Sequence, residues 1–394
     1  AVEIACAQCG APMRRVPDVG NPWLDAGIVP FSTLQYRANP AYWREWYPAH
    51  WISESFPGQF RNWFYSLLAM ATVLEGAPPF LENFSYATLF AEDGTPMHKS
   101  SGNMIEFNEA ADRMGVDVMR WLYAQQKPEN NLLFGYNRAD EVRRQFLIPL
   151  WNVYAFFVSY ARLDGWEPAQ EGFDAGRPEG ATPRSDNLLD RWILARLEAV
   201  AARVTNLLEE SDPSNAALSL QELLDDLSDW YVRRSRRRFW KSEQDADKGA
   251  AYATLYYVLV RLCKLLAPFT PFVTETIYQN LVRAVQPLAH LSVHHTDWPQ
   301  ADRGAVDETL LAQMALARRI CSLGLGARNS VNIKVRQPLA KAMVYLEDGR
   351  GELAPEIADI VRDELNVKAV EFVAEEGRLV NYRLAGEGRL LGPR

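Results

Sequence analysis

The sequence predicts an α/β segment over residues 1–125, an all-α segment over 126–300 and a small α+β unit over 301–394. Three observations predict this. An apolar stretch at 84–90 runs through a turn and a basic loop into a short helical pattern. From about residue 138, apolar residues recur at helical spacing almost without interruption. After residue 307, a helix is followed by two strand-like runs with a helix between them. Length agrees, because 394 residues exceed one ordinary core and suit two to three domains of ~100–200 residues each.

Taken in order, residues 1–50 are rich in Pro, Gly and Trp with little periodicity, so they read as loops and short strands. "QFRNWFYSLLAMATVLE" (59–75) has the spacing and length of a helix, and "FSYATLF" (84–90) reads as a buried strand. The helix "FNEAADRMG" follows the basic loop. Next come three helical runs starting near residues 138, 185 and 214, the first two separated by the Pro/Gly-rich connection "DGWEPAQEGFDAGRPEGATPRSD". A fourth run, from about residue 250, carries Pro268 and Pro271, which should end or kink it. The last region opens with a helix over 307–323. Strands around "KAMVYLE" and "VKAVEFVAEE" then flank the helix "LAPEIADIVRDELN".

Composition narrows the class. With 48% hydrophobic and 23% charged residues, this is a globular chain. It has no run of 18 or more apolar residues and no signal-type start, so neither membrane insertion nor secretion is supported. Four cysteines, Cys6, Cys9, Cys263 and Cys321, are too few and too scattered for a disulfide framework, which favours a reducing cytoplasm. A net charge of −8 argues against nucleic-acid binding over the whole surface but allows a local basic face.

Several stretches carry chemistry. In "EDGTPMHKSSGNMIEF" (92–107), Lys99 is flanked by Ser100, Ser101 and Gly102. Backbone amides and a flexible ammonium there can meet a phosphate; a solvated lysine in a serine-rich turn is the other reading. Cys6-Ala-Gln-Cys9 has the spacing of half a zinc knuckle, with no second Cys/His pair at ribbon or finger spacing. Cys263 and Cys321 sit in apolar helices and read as core. "YVRRSRRRFW" (231–240) interleaves five arginines with aromatics, which suits RNA. Alternatively, its arginines pair with Asp225, Asp226 and Asp229 at a helix C-terminus. Arg328, Lys334 and Arg336 form a second basic cluster. His294 and His295, at an apparent strand end, read as structural or surface residues.

The order "WLDAG", "ISESFPGQFRNWFYSLL", "DGTPMHKSSGN", "YVRRSRRRFW", "NIKVRQPL" resembles the second half of the isoleucyl-tRNA synthetases, from about residue 6 onward. The resemblance implies a partial Rossmann-type catalytic core of class I, then a helical-bundle anticodon-binding region and the small C-terminal unit. The loop at 96–100 takes the place of the KMSKS signature: Pro96 and His98 replace its first lysine and first serine, while Met97, Lys99 and Ser100 are retained. Lys99 is then the catalytic residue for adenylate formation. Glu54 and Gln59 match the segment that holds the ribose and aminoacyl part of the adenylate, with Gly58 where an aspartate is usual. Trp23 and Trp63 match the tryptophans flanking the isoleucine side chain. Arg233, Arg234, Arg237 and Arg238 become tRNA-facing candidates, and Cys6 and Cys9 a possible Zn2+ site.

The implied substrates and partners are ATP with Mg2+, isoleucine and tRNA-Ile, in a monomeric cytoplasmic protein without a membrane. No HIGH-like segment and no editing insertion, which would hydrolyse products that an apolar pocket rejects poorly, occurs in the chain. It ends at "LLGPR", where the family usually continues. The expectation is a fragment that cannot form the adenylate alone at a useful rate. Two alternatives stand beside it: a catalytically inactive paralogue that binds tRNA, suggested by Pro96, His98 and Gly58, or a valyl- or leucyl-tRNA synthetase.

Overall fold

A computed structural model describes residues 3–14, 20–173, 180–346 and 352–374. Part of the expected Pro/Gly-rich connection and the C-terminal stretch from 375 through "LLGPR" lie outside the described residues. The chain forms two compact units, residues 1–148 with 206–218, and residues 149–205 with 219–394.

The first unit begins with an antiparallel hairpin, β1 (Glu3–Ala5) and β2 (Pro12–Arg14). The segment expected to hold only loops and short strands then forms three short helices, α1 (Pro22–Gly27), α2 (Val29–Ser32) and α3 (Pro40–Trp46). Their cause is local. Asn21 and Asn39 accept from the backbone N–H of Trp23 and Tyr42, and each is followed by a proline whose fixed φ suits the first helical position.

Two parallel strand pairs follow, each closed by helices. β3 (Ala49–Ser55) pairs with β4 (Phe80–Tyr86) across α4 (Phe56–Gln59) and α5 (Trp63–Glu75). β5 (Leu89–Ala91) pairs with β6 (Leu132–Phe134) across α6 (Phe107–Met114) and α7 (Val116–Gln125). The single buried strand expected at 84–90 is therefore the end of one strand and the start of another. None of its residues is fully buried. Phe31, Trp43, Tyr47 and Ala71 form one apolar cluster and Ile52, Phe64 and Leu67 a second, which fixes α5 over β3. α8 (Tyr136–Val142) begins at Gly135, and Trp121 stacks on Phe146 with ring centroids 3.6 Å apart.

The second unit is mostly helical. α9 (Ile148–Asp164), α10 (Leu188–Glu209), α11 (Pro213–Asp225), α12 (Arg233–Trp240), α13 (Ala246–Leu266) and α14 (Pro271–Tyr278) follow the predicted runs, with the end of α10 and the start of α11 assigned to the first unit. The two prolines end α13 and start α14, with Pro271 in its first turn. Between α11 and α12 the turns widen to π-helix over Asp226–Val232, so the arginines are rephased relative to the preceding helix. α15 (Glu308–Ser330) runs past the predicted end, and β7 (Leu339–Tyr345) pairs in parallel with β8 (Val367–Val373) across α16 (Pro355–Leu365).

Two helices, Tyr136–Asp164 and Ala246–Leu266, are long and apolar enough to cross a membrane by length and composition, although no uninterrupted apolar run announces them. In α13 that stretch is 89% buried inside the protein, the position of a core helix.

Candidate functional site

Four of the predicted residues converge. A cavity of about 310 Å3 is lined by Trp23, Ala26, Glu54, Gln59 and Trp63. Trp23 reaches it from α1, Glu54 from the end of β3, and Gln59 and Trp63 from the two sides of the α4–α5 turn. That turn is held locally: Gln59 Oε1 accepts from the Trp63 N–H at 3.2 Å, and Asn62 Nδ2 donates to the Gly58 carbonyl at 2.6 Å. Gln59 therefore keeps its amide N–H groups without a protein partner among the described residues. Glu54 Oε1 accepts from the Ser55 N–H at 2.8 Å and, at 3.4 Å, from the Tyr86 hydroxyl. Burial and the nearby Glu54 carboxylate push the Tyr86 hydroxyl above its ordinary pKa, so it stays a donor. Among the described residues Glu54 Oε2 has no hydrogen-bond partner. The cavity thus offers two indole faces, one open carboxylate oxygen and one open amide, a set that suits a small apolar group attached to polar ones.

Two residues that sequence reasoning missed shape this cavity. Ala26 lines it, and Gly27 lets α1 lie on α5, because a Cβ there would sit 2.7 Å from the Ser66 backbone. The signal was present in "WLDAG", where a glycine closing a helix can mark close approach to a neighbour.

Lys99 and Ser100 do not line the cavity. They lie exposed on a 3-10 turn, Lys99–Ser101, in the loop between β5 and α6. The base of that loop is anchored where Glu92 accepts from the Arg138 N–H at 2.8 Å and from Asn137 Nδ2 at 2.9 Å. Gly135 makes room, since a Cβ there would meet Glu92 Cγ at 2.2 Å.

Cys6 and Cys9 sit on the turn of the β1–β2 hairpin as free thiols. Hydrogen bonds from the Gln8 and Cys9 backbone hold the Cys6 thiol below its ordinary pKa. Among the described residues no group of three or more metal-ligating side chains exists, so the pair does not by itself fit a four-coordinate Zn2+ site. Cys263 and Cys321 are buried in the core; burial pushes the Cys321 thiol up to about 12.

The arginine helix divides its side chains. Arg238 binds both oxygens of the fully buried Asp190, at 2.6 and 2.7 Å, and Asp247 at 2.9 Å. Arg233 and Arg234 each bind Glu364 of α16 at 2.7 Å. The pairing with Asp225, Asp226 and Asp229 considered from the sequence is replaced by acids distant in the chain. Asp226 instead takes Arg196 and Arg318, and Asp229 offers Arg233 only its backbone carbonyl. Arg236 and Arg237 are exposed and have no partner among the described residues, and Trp240, one turn on, is 55% exposed. Of the second basic cluster, Arg328 is buried and donates to the carbonyls of Lys334, Gln337, Leu365 and Asn366, while Lys334 and Arg336 are exposed. His294 and His295 form a 3-10 turn, not a strand end.

Comparison with known proteins gives two separate family matches along the chain. Residues 5–133 match the family described as tRNA synthetases class I (I, L, M and V), and residues 190–344 match the anticodon-binding domain of tRNA ligase. The chain is 41% identical over 399 residues to the isoleucine–tRNA ligase of Thermus thermophilus, covering 99% of this chain and 37% of that protein. It is 42% identical over 393 residues to the isoleucine–tRNA ligase of Dehalococcoides mccartyi strain CBDB1, covering 97% of this chain and 38% of the relative. It therefore spans little more than a third of the length of these relatives. In fold it is similar to a LeuRS–tRNA–LeuAMS ternary complex from Agrobacterium radiobacter K84, with TM-score 0.58 at 17% identity over 77% of this chain and 36% of that one. It is also similar to Mycobacterium tuberculosis methionyl-tRNA synthetase with methionyl-adenylate, with TM-score 0.52 at 18% identity over 69% of this chain and 52% of that one.

Proposed function

We propose, from the premise that this chain belongs to the class I tRNA synthetase family, that it supplies the amino-acid pocket, the lysine loop and the tRNA-binding part of an isoleucine–tRNA ligase. The observation that carries this reading is the cavity shared by Trp23, Glu54, Gln59 and Trp63. In this reading residues 1–125 are the second half of a Rossmann-type nucleotide-binding core, 126–300 an anticodon-binding bundle and 301–394 a small α+β unit.

The two indoles clamp the isoleucine side chain, an apolar branched group that needs packing more than polar contacts. The open oxygen of Glu54 and the open amide of Gln59 hold the ribose and aminoacyl ends. The isoleucine carboxylate attacks the α-phosphorus of ATP. A carboxyl–phosphate bond forms, the bond to the β-phosphate breaks, and pyrophosphate leaves with the electron pair. Lys99 follows the charge growing on that leaving group, and Ser100 beside it donates to the phosphates. Mg2+ enters as the counter-ion of ATP. A terminal tRNA hydroxyl then attacks the aminoacyl carbonyl and releases AMP, while Arg237 contacts the RNA backbone.

Isoleucine-dependent ATP–pyrophosphate exchange tests the reading. The chain alone should not exchange measurably, because ATP is positioned by both halves of such a site. Joined to a HIGH-bearing first half it should exchange, and Lys99→Ala should lower the rate at least tenfold, about 1.4 kcal/mol of transition-state stabilisation. A smaller loss would remove Lys99 from the chemistry. A second reading, a tRNA-binding paralogue without adenylate chemistry, is favoured by Pro96 and His98 in the loop and predicts tRNA binding without exchange in the joined protein. A Cβ on Gly58 would meet nothing within 4 Å, so Gly58→Asp can be built there, and improved exchange in that variant would argue for the first reading.

A further inference from the structure

The loop that carries Lys99 is organised around one side chain. Asn103 Oδ1 accepts from the His98 N–H at 3.0 Å and from the Ser101 hydroxyl at 2.8 Å, while its Nδ2 donates to Thr95 Oγ1 at 3.2 Å and to the Pro96 carbonyl at 3.0 Å. These bonds use both donors and both lone-pair directions of a carboxamide. The residues they reach lie on both sides of Lys99. On the near side the loop is also closed by the Ala91 N–H on the Thr95 carbonyl and by Asp93, which accepts from the Thr95 N–H and hydroxyl. On the far side Gly102, at φ 70°, turns the chain back toward Asn103. Lys99 and Ser100 are left at the apex, exposed and with no side-chain partner among the described residues.

We infer that Asn103 is the positioning residue for Lys99: it ties the two limbs of the loop together and so presents the ammonium in one place before any nucleotide arrives. This rests on the reading of Lys99 as the phosphate-facing residue. The amide is required chemically. Aspartate keeps the acceptors for His98 and Ser101 but loses both donors and sets a carboxylate against the Pro96 carbonyl; alanine loses every bond. A clipped apex costs less ordering when the triphosphate binds, so its loss falls on the chemical step and on nucleotide affinity, not on the isoleucine pocket.

Trypsin cleavage after Lys99 reads the clip directly, because the protease takes an extended segment and so reports local opening. In the chain as it stands, Asn103→Ala should speed cleavage at Lys99 at least about tenfold, Asn103→Asp by less, and Ser101→Ala least, with melting temperature and cleavage at the exposed Arg37 unchanged. Equal rates at Lys99 in wild type and Asn103→Ala would overturn the inference. Should the alanine variant unfold, the ordering of the Asp and Ser101→Ala variants carries the same test. Joined to a HIGH-bearing first half, Asn103→Ala should lower kcat and raise KM for ATP while KM for isoleucine stays unchanged. A general structural lesion would raise both KM values and would overturn a positioning role. The underlying reading is tested separately with millimolar MgATP, which should slow cleavage at Lys99 in the wild-type joined protein. Failure of that protection alongside faster cleavage in Asn103→Ala would reject the phosphate-facing role, and with it positioning for catalysis.

Discussion

At the scale of single residues, the arginine stretch shows what a sequence can and cannot say. Five arginines among aromatics announce a basic feature, but not which of them are free. Arg238 is committed to Asp190, 48 positions away, and Arg234 to Glu364, 130 positions away; no local pattern reports such partners. Only side chains with no acid beside them are free to meet an anion such as the RNA of the proposed function, which leaves Arg237 and its neighbour Arg236. The two kinds of arginine should therefore fail differently. On the proposed function, Arg237→Ala should weaken tRNA binding and reduce its salt dependence by about one phosphate contact, leaving stability unchanged. Arg238→Ala strands a carboxylate that is fully buried, held then, among the described residues, only by Tyr231 and Ser185. Its cost should approach the lower end of about 3–5 kcal/mol in urea denaturation. Equal stability of the two variants would show that the Asp190 network contributes nothing.

At the scale of elements, the long helices were legible because each carries an apolar face at a period of 3.6 over many turns, and α13 is buried almost all round. The short helices α1 and α3 were not, because six or seven residues are too few for periodicity to show. The Asn-Pro pairs at 21–22 and 39–40 were their only signature. The strand at 84–90 misled because its apolar run continues through the break between β4 and β5. The candidate site inherits this unevenness: Trp23, Glu54, Gln59 and Trp63 could be named from motifs, whereas the close approach of α1, which carries Trp23, to α5, which carries Trp63, lies in a glycine. Gly27→Ala tests that contact. Its new methyl would press on the Ser66 backbone, which cannot yield as a side-chain tip would. α1 must move off α5, at a cost of about 1–3 kcal/mol typical of overpacking. On the proposed function, KM for isoleucine in the joined protein should rise more than KM for ATP; an unchanged KM for isoleucine would separate α1 from the pocket.

At the scale of the whole molecule, charge pairs buried among helices set how the protein responds to acid. Burial alone would push the Asp164 carboxyl up, but hydrogen bonds from Lys248, at 2.6 Å, and from Tyr252 outweigh it and hold the carboxyl below its ordinary value. Asp247 is likewise lowered, against burial, by Arg238 and Lys241. A carboxylate whose pKa is lowered by folding adds stability above its unfolded value, about 4, and that contribution is lost as pH falls through the folded value. Asp225 and Asp226 act in the opposite direction: burial raises both, so they take up protons in the folded state first and favour it as pH declines toward 4. Stability should therefore change little on the way down from neutral pH and fall steeply below about pH 4. Asp164→Asn isolates one contributor. It leaves the buried Lys248 ammonium with the Lys241 carbonyl and no carboxylate, so the variant should be less stable than wild type at pH 7. Because wild type loses the same interaction on protonation, the gap between the two should close as pH approaches 3. Urea midpoints taken at pH 7, 5, 4 and 3 measure it, and a gap that stays constant would mean that the Asp164–Lys248 pair does not carry the acid limb.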